Sequence, residues 1–135
     1  MKKSKIIFPE IMNLSFSDLC EVRIEAFNLI EDILCKIAPE NLEEIFEMST
    51  SDFLKQILPK MTEQNESIEV KNIILKLISH IVFSSNDDEI LKDLASDDFF
   101  MNELLVMLDS DNQIIEEASI KLLEILTPFI LDKNY

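Results

Sequence analysis

Val22-Arg23-x-x-Ala26-x-x-x-Ile30-x-x-Ile33, Val70-Lys71-x-x-Ile74-x-x-x-Ile78-x-x-Ile81 and Ile114-Ile115-x-x-Ala118-x-x-x-Leu122-x-x-Ile125 are three copies of one pattern. Equivalent positions lie 48 and then 44 residues apart. Within each copy the apolar residues recur at helical spacing, so each is one face of an amphipathic helix. A period of this length is the mark of stacked helical repeats, in which no unit can bury its apolar face alone. Ala26 and Ala118 hold equivalent places and are expected to be small buried residues at helix contacts.

The same spacing, followed along the chain, predicts helices over 6–14, 17–36, 40–48, 51–62, 67–84, 87–95, 97–108 and 112–131. Several have start signals: Asn86 with Glu89 three residues on, Ser51 before Asp52, and Asp111 or Asn112 before Ile114. Pro39 suits the first turn of the short third helix. Pro59 and Pro128 fall inside predicted helices, where a kink or an early stop is expected. Glycine is absent altogether, which argues against hairpin turns and phosphate-binding loops. It also removes the usual residue for ending a helix.

The helices group as short, medium and long, over 40–84 and again over 87–131, with a shorter unit at 6–36. A three-helix repeat accounts for the short pieces, which a two-helix repeat does not. The medium helices align Phe53, Ile57, Leu58 and Met61 with Phe100, Leu104, Leu105 and Leu108 as their apolar faces. At 135 residues the chain is expected to be one domain, 1–135, all-α.

The stretch from Asn86 to Leu126 resembles an armadillo repeat. Residues 86–100, Asn-Asp-Asp-Glu-Ile-Leu-Lys-Asp-Leu-Ala-Ser-Asp-Asp-Phe-Phe, followed by Leu104-Leu105, are also similar to repeats of a cytosolic armadillo family of cochaperones. Those cochaperones assist the folding of translation elongation factor two. The resemblance implies a short right-handed α-solenoid of about two and a half three-helix repeats. It also implies a concave groove lined by the long helices, as in nuclear-import receptors, where Trp-x-x-x-Asn pairs clamp an extended peptide. The matching positions here are Asn28 and Asp32, Lys76 and His80, and Ile120 and Glu124. None of these pairs has Trp or Asn in that order, which argues against a nuclear-localisation receptor.

Charge narrows the partners further. The net charge is −15, and residues 86–117 hold eleven acids against the single base Lys92. Such a surface repels phosphate backbones and anionic membranes and draws a basic partner. Asp87, Asp88, Asp97 and Asp98 mark its exposed helix starts; capping and solubility are the plainer roles for them. Arg23, the only arginine, is expected to pair with an acid of a neighbouring helix.

Chemistry finds little purchase. His80 is the only histidine and has no companion nucleophile or ligand set in the sequence. Asp109-x-Asp111-x-Gln113 starts like a calcium loop, but Ile114 replaces its glycine and Ile120 its final Glu. Cys20 and Cys35 share one predicted helix at a separation of about 22 Å, too far for a disulfide. They are expected to be small buried residues of a reducing compartment. Met1 to Phe8 imitates a signal peptide, yet Pro9 and Glu10 end its apolar run. The expectation is therefore a non-enzymatic protein-binding scaffold or adaptor in the cytoplasm, with the nucleus as an alternative. It would need no cofactor or metal and bind neither nucleic acid nor membrane. The alternatives are a cochaperone or translation-associated factor, and a structural subunit of a larger assembly.

Overall fold

The computed structural model describes residues 10–63, 65–85 and 87–133. Every regular element among them is helical. Residues 10–14 are helical, and seven α-helices follow: α1 (Cys20–Lys36), α2 (Leu42–Phe46), α3 (Thr50–Thr62), α4 (Ile68–Ser85), α5 (Asp88–Ser96), α6 (Asp98–Met107) and α7 (Gln113–Lys133). A 3₁₀ turn, Pro39–Asn41, leads into α2. The expected helices are thus present within a few residues at each described end, the start of the one expected over 6–14 lying outside the described residues. Ile6, Ile7, Phe8 and the expected cap Asn86 lie outside the described residues.

Two compact units divide the chain, 1–77 and 78–135, with the boundary inside α4. In the first, α2 packs on α3, and Phe46 and Phe53 stack at a 4.6 Å ring separation with planes tilted by 41°. Phe27, Ile30 and Leu34 of α1 and Phe53, Ile57 and Met61 of α3 are fully enclosed. In the second, α5, α6 and α7 pack on one another. Phe100, Leu104, Ile115, Leu122 and Leu126 form the heart of that core.

The long helices bury equivalent positions. Phe27, Leu75 and Ser119 are one set; Ile30, Ile78 and Leu122 another; Leu34, Val82 and Leu126 the third. All nine residues are buried. The face differs from the expected one by a fraction of a turn. Ala26 is buried, whereas Ala118 is only half-buried and Ile114 is exposed. Ser119 reaches the core by donating its hydroxyl to the Ile115 carbonyl at 2.9 Å, so its polar atom is satisfied within the helix.

Caps explain where the helices begin. The Ser49 hydroxyl, not that of Ser51, accepts from the Asp52 N–H at 3.1 Å and opens α3. Asp87 caps α5 by accepting from the Glu89 N–H, and Asp97 caps α6 by accepting from the Phe100 N–H. Asn112 accepts from the Ile114 N–H at 3.0 Å and starts α7. Neither internal proline ends its helix: α3 runs on past Pro59 to Thr62, and α7 past Pro128 to Lys133.

Without glycine, the end of α2 falls to Glu47, which takes the left-handed conformation at φ 58° and ψ 32°. A side chain with a Cβ is strained there. Glu47→Gly is expected to stabilise the protein by about 0.5–1 kcal/mol, read from the midpoint of a urea titration. An unchanged or lowered midpoint would show that the turn is unstrained.

Candidate partner-binding surfaces

Arg23 is fixed by the first unit's polar centre. Its Nε and Nη2 donate to the two oxygens of Glu66 at 2.9 and 2.7 Å, and its Nη1 donates to the Ser17 carbonyl at 2.8 Å. Glu66, between α3 and α4, also accepts from the Ser67 N–H at 2.9 Å and faces Lys60 at 3.9 Å. The side chains are 12% and 1% exposed, so this forked pair is largely out of water. Burial presses Glu66 toward its neutral form and is the largest influence on it. The Arg23 hydrogen bonds, the Ser67 N–H and the charges of Arg23 and Lys60 together outweigh burial, and hold the acid below the usual carboxylate range. Arg23 is raised in turn, chiefly by its hydrogen bond to Glu66 and against its own burial. Beside them, Cys20 Sγ donates to Ser67 Oγ at 3.4 Å. Arg23 has the acidic partner expected of it, but that acid lies in the turn between α3 and α4 and not on a neighbouring helix. Glu66 itself carries no sequence signal, because Asn65-Glu66-Ser67 reads as an ordinary polar turn.

The six expected groove residues form three pairs, each one turn apart on its own long helix. Asn28 and Asp32 are exposed on α1. Lys76 and His80 are half-buried on α4, and Ile120 and Glu124 are exposed on α7. Of the cysteines, Cys20 is half-buried and Cys35 exposed, so the expectation of two buried thiols fails; Cys35 lies on the solvent side of α1.

The acidic window is displayed outward. Nine of its eleven acids are exposed, while Asp97 and Glu103 are half-buried. Asp87 and Asp97 serve as caps and keep an outward charge as well. The medium helix α6 corrects the expected apolar face: Phe100, Leu104 and Met107 are buried, Leu108 is half-buried, and Leu105 is exposed. Phe99 and Val106 are also exposed on this helix. Among the described residues, no group of three or more His, Cys, Asp and Glu is placed to hold a metal ion. No helix among the described residues is long and apolar enough to cross a membrane. Comparison with protein families, curated proteins and solved structures returns no match to this chain.

Proposed function

We propose that the chain is a non-enzymatic protein-binding module, a short armadillo-like α-solenoid that displays an acidic surface to a basic partner. The observation that carries the reading is the outward display of the acids from Asp87 to Glu117 on capped helices. Rigid helices hold these charges at set positions, and their summed field speeds the approach of a cationic partner. Burial at equivalent positions of α1, α4 and α7 supports the repeat architecture. In this reading the groove residues Asn28, Asp32, Lys76, His80, Ile120 and Glu124 supply a contact row, and the protein works in the cytoplasm. Resemblance alone adds the variant of a cochaperone or translation-associated factor. A structural subunit of a larger assembly is the second reading, favoured by large apolar residues left exposed, such as Leu19 and Ile68 at 66% each.

Affinity purification from the native source, with light scattering on the pure chain, separates the two. A stable monomer with a salt-sensitive basic partner is expected of the module; an obligate stoichiometric complex is expected of the subunit. Replacing Asp87, Asp88, Asp97 and Asp98 with Asn retains side-chain cap acceptors while removing four charges. Association with the purified partner is expected to slow several-fold because the steering charges are gone, and to weaken with added salt, which already screens the field within about 8 Å at physiological strength. A rate insensitive to both the substitutions and salt would overturn the reading.

A further inference from the structure

We infer that the outward side of α6 docks a basic amphipathic helix of a partner protein, an inference that rests on the reading of the chain as a protein-binding module. The helix is apolar on two sides. Phe100, Leu104 and Met107 point into the core of the second unit, while Phe99, Leu105 and Val106 remain 75%, 53% and 64% exposed. Single exposed apolar residues are ordinary on a surface. Three on the outward side of a ten-residue helix that already buries a full face are more than that, although Asp98 and Asn102 interrupt them, and such a patch is one that a partner covers. Phe99 and Val106, seven residues apart, share one line about 10 Å long, and Leu105 lies about 100° further round the helix with the exposed Asn102 between it and Val106. That length matches two turns of an opposing helix packed ridge into groove.

Charge selects the occupant. Residues 87–111 hold nine acids and one base, and α6 itself has no basic residue. A second copy of the chain would bring another −15 toward the strip, and nucleic acid or an anionic membrane would be repelled likewise. A cationic segment is drawn in, with its apolar side on Phe99, Leu105 and Val106 and its Lys or Arg at the margins. Backbone hydrogen bonding selects its conformation. No strand edge is offered among the described residues, so an extended peptide would gain no ladder hydrogen bonds over this apolar strip. A helix satisfies its own N–H and C=O groups before it arrives.

The test uses the whole chain and a fluorescein-labelled Lys/Leu peptide patterned as an amphipathic helix of about 18 residues, followed by anisotropy. A Glu/Leu peptide of the same pattern is the control. The Lys/Leu peptide is expected to bind one to one and more weakly in higher salt, and the Glu/Leu peptide not to bind. The double variant Phe99→Ser with Val106→Ser is expected to weaken binding about tenfold or more, with the thermal melt unchanged because both side chains are already exposed. Lys/Leu binding unaltered by the double variant would overturn the α6 site; so would equal binding of both peptides. If the native partner binds the double variant as tightly as the wild type, the α6 inference falls while the module reading stands. Failure to recover any basic partner from the native source defeats the broader reading first.

Discussion

Glu66→Ala is expected to cost about 3–5 kcal/mol in urea unfolding at neutral pH, the largest loss of any single polar substitution in the first unit. The cost arises less from the attraction lost than from what is left behind. The Arg23 guanidinium, only 12% exposed, would keep its charge and lose two of its three hydrogen bonds. Arg23→Lys retains the charge but not the fork, so it is expected to fall between the wild type and the alanine variant. The same pair sets a pH dependence whose direction follows from Glu66. Its folded value lies below the unfolded one of about 4.3, so its ionisation stabilises the protein fully above that value. The contribution is lost as pH falls through the lower, folded value. The stability difference between wild type and Glu66→Gln is therefore expected to shrink across that acid window. A difference constant with pH would show that the carboxylate is not held ionised.

Phe100→Ala is expected to remove about 3–5 kcal/mol, whereas Phe99→Ala is expected to stay within about 0.5 kcal/mol. The two rings are adjacent in sequence, yet one is wholly enclosed and the other is 75% exposed. Chemical denaturation of both variants thus reads the rotation of α6 about its own axis. Equal costs, or the reverse order, would mean that the helix presents a different side to α5 and α7.

Helices were legible in the sequence because apolar spacing and cap residues act locally. Which apolar side is buried was less so. Ile, Leu and Phe occur on more than one side of α6 and α7, and spacing cannot distinguish Leu105 from Leu104 or Ile114 from Ile115. Packing partners make that choice, and they come from other segments. The start of α3 shows the same limit at close range, since Ser49-Thr50-Ser51 offers three neighbouring hydroxyls and only backbone geometry selects Ser49. As for the binding surface, charge was readable directly from the eleven acids between 86 and 117. The exposed strip on α6 was not, because Leu105 looked like a core residue.

The reach of the Arg23–Glu66 contact has a kinetic consequence. Its partners are 43 residues apart, so the chain must close that whole loop before the fork can form. Contacts of this span are gained after local helices and their nearest packing are in place. We expect the pair to contribute little to the rate at which the first unit assembles and much to how long it stays assembled. Its removal would then appear chiefly as faster unfolding, with refolding nearly as quick as before.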